Sequence, residues 1–213
     1  MWVFRSSPSE EGSESSKMPP LRLGIIGSGK GSNCRALLEA TREKRLNYEP
    51  VIVLSEVSDA GILGLAESFN IPSRFVEPGP FKTRLSEDAE LEMLSQLQAA
   101  NVDFVALAGF MRVIKAPLLE AFPGRILNIH PSLLPHFRGL EAWRQALEAN
   151  LHETGCTVHV VDSGVDTGRI LGQSRVPVLI DDTIETLHAR IQEAEHELYP
   201  RMVHQFAQEL MKR

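Results

Sequence analysis

The chain has 213 residues, 43% of them hydrophobic, and a formal net charge of −6. That length suits one large domain or two tightly fused halves around a sizeable core, and the acidic balance argues against a nucleic-acid binder, which carries a basic surplus or stripe. The two cysteines, Cys34 and Cys156, lie far apart without a metal-binding spacing; they read as buried thiols in a reducing, cytoplasmic setting.

Residues 1–20, MWVFRSSPSEEGSESSKMPP, are rich in Ser, Glu and Pro and poor in apolar side chains. Such a stretch cannot pack and is expected to be a disordered extension. It has neither the basic start nor the apolar run of a secretory signal. Nowhere is there a run of about eighteen apolar residues, so no membrane span is expected.

From Leu21 short apolar runs alternate with helical spacing. LRLGIIG reads as a buried strand and NCRALLEATREK as a helix. PVIVLSE and AGILGLAESFN repeat the pair, and SRFVE is a short third strand. TRLSEDAELEMLSQLQAAN reads as one long amphipathic helix from Thr83 to Asn101, and VDFVALAGF as a nearly all-apolar fourth strand. This βαβα rhythm predicts a parallel sheet covered on both faces. After RILNIH it changes: GLEAWRQALEAN is a helix, while GCTVHVV and RILGQSRVPV are strands close in sequence, as at an antiparallel or mixed edge. The last residues form a helical tail that Pro200 is expected to split in two. The fold class is therefore α/β, doubly wound, with a mostly parallel sheet, a Rossmann-like first half and a mixed C-terminal edge. Residues 21–213 form one domain, with halves of about 21–122 and 123–213.

Three readings compete for the loop GIIGSGKGSN, between the first strand and the first helix. A Walker A loop needs a hydroxyl where Gly31 stands. A dinucleotide fingerprint needs glycine where Ser32 stands, although Glu56 at the end of the second strand could serve as a ribose-binding acid. What remains is a plain phosphate cradle, with Ser32 or Asn33 capping the helix, or a tight turn with no ligand.

In ILNIHPSLLP, alternation puts Asn128 and His130 on the same side of an extended segment. Alone, such a pair reads more readily as a turn former and a core histidine than as a site. The later loop VVDSGVDTGRI adds Asp162 and Asp166. A carboxylate near an imidazole raises its pKa and fixes its tautomer, and an amide can donate to a developing oxyanion. Asn, protonated His and Asp thus suit acyl transfer without an enzyme nucleophile. No G-x-S-x-G elbow is present, and neither cysteine has an adjacent histidine. His159, His188, His196 and His204 show no partner pattern and read as structural or exposed. Spacing alone puts Glu195 on a solvated helix face. His136 and Arg138 either meet an anion or face solvent.

GSGKGSN, LAGFMRV, LNIHPSLLP, TGCTVHVVDSGVDTGRIL and EHELYP together resemble the phosphoribosylglycinamide formyltransferases, folate-dependent enzymes of purine synthesis, over most of the chain from Leu21 to Tyr199. The resemblance implies Asn128, His130 and Asp166 as catalytic residues. It implies Gly31, Ser32 and Asn33 around the ribonucleotide phosphate, and Pro131 and Glu195 at the glycinamide substrate. Met111, Arg112, Val113 and Ile114, with Arg84 and Asn128, would line the folate site. It further implies 10-formyltetrahydrofolate as the formyl donor, no metal, small-molecule substrates only, and a monomer or weak homodimer. The N-x-H-P-S-L-L-P run is shared by a wider superfamily, so formyltransferases acting on methionyl-tRNA or amino sugars, and formyltetrahydrofolate hydrolases, stay open. A non-catalytic nucleotide-binding module is the rival from another class.

Overall fold

The computed structural model describes residues 18–43 and 46–213. The expected disordered extension therefore lies outside the described residues except for Met18, Pro19 and Pro20, which are exposed. Seven strands form one sheet in the order β3-β2-β1-β4-β5-β6-β7. The strands are β1 Leu21–Ile26, β2 Tyr48–Ser55, β3 Ser73–Phe75, β4 Phe104–Leu107, β5 Ile126–His130, β6 Glu153–Val160 and β7 Ile170–Pro177. The helices among the described residues are α1 Ser32–Glu43, α2 Gly61–Ser68, α3 Glu87–Ala99, α4 Ala116–Ala121, α5 Ala142–Glu148 and α6 Ile184–Met211. Strands β1 to β5 pair in parallel, and β6 and β7 run antiparallel, as the change of rhythm predicts.

Two cores explain the apolar strands. Every residue of β4 is buried. Phe104 and Ala106 face a core shared with α1, α2 and α6, while Val105 and Leu107 face a second core with α3 and α4. A strand covered on both faces has no position left for a polar residue. Each fully buried aromatic or branched side chain contributes about 1.5–3 kcal/mol by leaving water.

The order of strands reverses between β1 and β4, the crevice where doubly wound sheets bind ligands at the carboxyl ends of their strands. The loops that leave β1, β4 and β5 open there.

Three expectations change. The helix expected from Thr83 starts at Glu87, because the Ser86 hydroxyl accepts the Ala89 N–H as N-cap; Arg84 instead bridges to Val113. The fourth strand is only four residues long, since the chain turns at Gly109, with φ of +71°. Pro200 does not divide the tail: α6 is continuous over 28 residues with Pro200 inside it. The lost hydrogen bond is offset by packing on both sides of the proline, from Leu187 and Ile191 to Val203 and Phe206, all buried. The Tyr199 hydroxyl, donating to the Leu107 carbonyl at 2.8 Å and lying 3.3 Å from that of Leu127, ties the helix to the sheet. Among the described residues no helix is long and apolar enough to cross a membrane.

Candidate active site

A cavity of about 750 Å³ opens at the crevice. Its wall holds Gly29 to Asn33 from the glycine loop and the start of α1, Leu107 at the end of β4 with Ala108 to Ile114 after it, and Asn128 to His130 of β5 with Pro131 just beyond. Asp162 and Asp166 follow β6, and His188, Gln192 and Glu195 come from α6. Of the site residues that the resemblance implies, only Arg84 is off this wall; its guanidinium lies 3.4 Å from the centre of the Phe81 ring. His136 and Arg138 are exposed and also off the wall.

The glycine loop is shaped by contact. Gly31 has φ of +86°, and a Cβ there would sit 3.1 Å from Ile62 atoms, so a side chain would be strained in conformation and would press on Ile62. The helix begins at Ser32, with Arg35 N–H donating to the Gly31 carbonyl. Gly31 therefore precedes it, and neither Ser32 nor Asn33 occupies the capping position.

Asn33 turns toward α6 instead. Its amide nitrogen donates to Glu195 Oε2 at 2.9 Å. Glu195 is buried, not on a solvated face, because α6 packs that side against α1 and the sheet. Burial pushes its carboxyl up to about 7, with only the Asn33 hydrogen bond pulling back. Glu56 does not face the cavity: it accepts the Ser28 hydroxyl at 2.6 Å and lies 3.4 Å from Arg112 Nε. The ribose-binding role is not available to it in that arrangement.

Asn128 and His130 do share one side of β5, two residues apart. Asp166 comes to them on the loop after β6. Its Oδ2 accepts the Gly139 N–H at 2.9 Å and lies 3.4 Å from His130 Nδ1. Its φ of +51° is left-handed, a conformation an aspartate tolerates better than most residues. Such local strain recurs at functional sites. Asp162, by contrast, accepts from Gly164 N–H and the Thr167 hydroxyl and shapes the loop.

His159 belongs to this cluster and was missed. It pairs across the sheet with Asn128. Its Nδ1–H donates to the Val160 carbonyl, which leaves Nε2 to accept from the Asn128 amide at 3.2 Å. The same Nε2 is 3.4 Å from Asp166 Oδ1. No local pattern marks it, because Asn128 lies 31 residues away and Asp166 returns to it only through the fold of the loop after β6. Trp143 and His188 were missed for the same reason: their rings stack at 4.0 Å on the cavity wall.

Burial and charge act on His130 in opposite directions. Burial is the largest influence on His130 and lowers its pKa; Asp166 and the Phe137 carbonyl raise it without winning. The His130 Nε2–H donates to the Phe137 carbonyl at 2.8 Å. For Asp166, burial raises the pKa, but the polar groups around it, the Gly139 N–H among them, hold it low.

The profile of the family described as formyl transferase matches residues 21–203. The chain is 38% identical over 184 residues to phosphoribosylglycinamide formyltransferase of Bacillus subtilis (strain 168), covering 86% of this chain and 93% of that one. It is 45% identical over 197 residues to the trifunctional purine biosynthetic protein adenosine-3 of Drosophila pseudoobscura pseudoobscura, covering 92% of this chain but spanning only 14% of that relative's length. The crystal structure of glycinamide ribonucleotide transformylase 1 from Symbiobacterium toebii superposes with a TM-score of 0.84 at 45% identity, over 89% and 88% of the two chains.

Proposed function

The chain belongs to the formyl transferase family, and from that premise we propose that it moves the formyl group of 10-formyltetrahydrofolate onto the amine of glycinamide ribonucleotide, a step of de novo purine biosynthesis. The observation that carries the reading is one cavity bordered by the glycine loop, the Asn33–Glu195 pair, the segment Met111–Ile114 and the set Asn128, His130 and Asp166. The backbone N–H groups of the glycine loop and the start of α1 suit a phosphate. Glu195 suits the glycinamide end of the same substrate, and the apolar segment after β4 suits a folate ring. The half up to about residue 122 then serves the phosphate, and the rest supplies the catalytic side chains.

The substrate amine attacks the formyl carbon, and the carbonyl electron pair moves onto oxygen. Asn128 holds one amide hydrogen on His159 and has a second to donate to that oxygen. The His130 ring donates once its Nε2–H exchanges the Phe137 carbonyl for the formyl oxygen, a shift that the turn 136–139 must allow. Collapse breaks the bond from formyl carbon to folate N10, and the proton lost by the amine goes to N10, relayed by Asp166 through water. No bond to the enzyme forms. Holding both substrates in one cleft supplies much of the rate.

The formal charge of −6 does not suit a tRNA substrate. The test mixes the protein with 10-formyltetrahydrofolate alone, with glycinamide ribonucleotide added, and with methionyl-tRNA added, following the folate absorbance. Formyl transfer only with the ribonucleotide is expected. Deformylation with no amine, or transfer only to methionyl-tRNA, would sink the proposal.

A further inference from the structure

After β4 the chain runs from Ala108 to Lys115 with neither helix nor strand ladder to hold its backbone. Its supports come from elsewhere. Met111 N–H donates to the Ser28 hydroxyl at 2.9 Å. Val113 N–H donates to the Thr83 carbonyl at 2.9 Å. The Arg112 guanidinium donates to the carbonyls of Arg84, at 3.1 Å, and Phe81. Both side chains in this set, Ser28 and Arg112, converge on one atom, Oε1 of Glu56, at 2.6 Å and 3.4 Å.

Glu56 follows β2 directly, is 4% exposed, and does not line the cavity. Its Oε2 has no hydrogen-bond partner. A carboxylate so placed is costly unless its charge is matched, which suits a group kept for what it does to its neighbours. The chemistry of each neighbour says what that is. A serine hydroxyl has one hydrogen; once that goes to Glu56, the oxygen is left to accept from Met111. A guanidinium anchored at Nε by a negative charge presents Nη1 in a fixed plane, here against two carbonyls of the loop 81–84. We propose that Glu56 is a positioning residue: acting through Ser28 and Arg112, it fixes the wall Met111–Val113 and the loop 81–84 at the spacing a folate needs. The inference rests on the reading of that wall as the folate side of the cavity.

The test uses Glu56→Gln, Arg112→Gln, the double variant and Glu56→Asp. Tetrahydrofolate affinity is measured by calorimetry, and KM for each substrate, kcat and thermal midpoint by standard assays. Glu56→Gln is expected to weaken tetrahydrofolate binding and raise the KM for 10-formyltetrahydrofolate about tenfold, with kcat changed less than about twofold. Glu56→Asp is expected to recover part of the loss. The double variant should lose little more than the worse single one, because interacting residues are not additive. If Glu56→Gln fails to fold, Ser28→Ala breaks the same link from its other end and should also weaken tetrahydrofolate binding. A variant that binds tetrahydrofolate within about twofold of the parent, even with a lower thermal midpoint, overturns the positioning role. So does a double variant whose loss is the product of the single losses. A parent protein that does not bind tetrahydrofolate points instead to failure of the folate assignment itself.

Discussion

Asp166 stands between two buried imidazoles, 3.4 Å from each, and its charge raises the pKa of His130 against the stronger effect of burial. Asp166→Asn removes that support, so the His130 ring should titrate lower still, below its already lowered value. Histidine resonances followed by NMR against pH check this; an unchanged or higher titration contradicts it. Glu195 works in the opposite direction. Its carboxyl is held at about 7 in the folded chain and returns to the ordinary carboxylate range on unfolding. Between those values the native state keeps a proton that the unfolded chain releases, so stability falls as pH rises through that window. Glu195→Gln should therefore be more stable than the parent at pH 8, by on the order of 3 kcal/mol, and lose that advantage below about pH 4.5. Equal thermal midpoints for the two proteins at pH 8 would refute the buried-carboxyl account. At this scale the sequence exposed Asn128 and His130, because alternation along one strand needs no tertiary knowledge. It hid His159, whose partners come from β5 and the loop after β6. It also hid the burial of Glu195, since an acid-rich helix looks solvated until α1 is packed against it.

The loop after β6 owes its path to small residues. A Cβ on Gly168 would fall 1.8 Å from the Val160 carbonyl oxygen, and backbone cannot yield as a side-chain end can. Gly168→Ala should thus displace the loop that carries Asp166 and lower kcat at least tenfold, with a fall in thermal midpoint. An alanine variant with parental kinetics would show that the loop position does not matter. Most elements were legible, because a period of two and a period near 3.6 are local signals. The start of α3 was not, since Ser86 captures the cap while Thr83 and Arg84 are drawn to the segment after β4. The unbroken α6 was not either: proline is a local signal against a helix, and tertiary burial along both halves outweighs it.

Across the molecule, α6 is the element that joins the halves. It packs against α1, α5, β6 and β7. Tyr199, fully buried, reaches through to β4 and β5. Tyr199→Phe leaves those carbonyls without the hydroxyl, and a loss of about 1–3 kcal/mol in unfolding free energy is expected by urea titration; no loss would show that the tie is idle. The doubly wound class and its mixed edge were readable from the order of strands and helices. That β1 lies between β2 and β4, opening the crevice where the cavity sits, is a long-range pairing that no local pattern carries. The most direct test of the whole account is the rate of formyl transfer to glycinamide ribonucleotide by His130→Ala under single-turnover conditions. Loss of one oxyanion donor predicts a fall of about 10²–10³-fold with the fold intact; a rate within about threefold of the parent would mean that the imidazole on β5 does not serve the reaction.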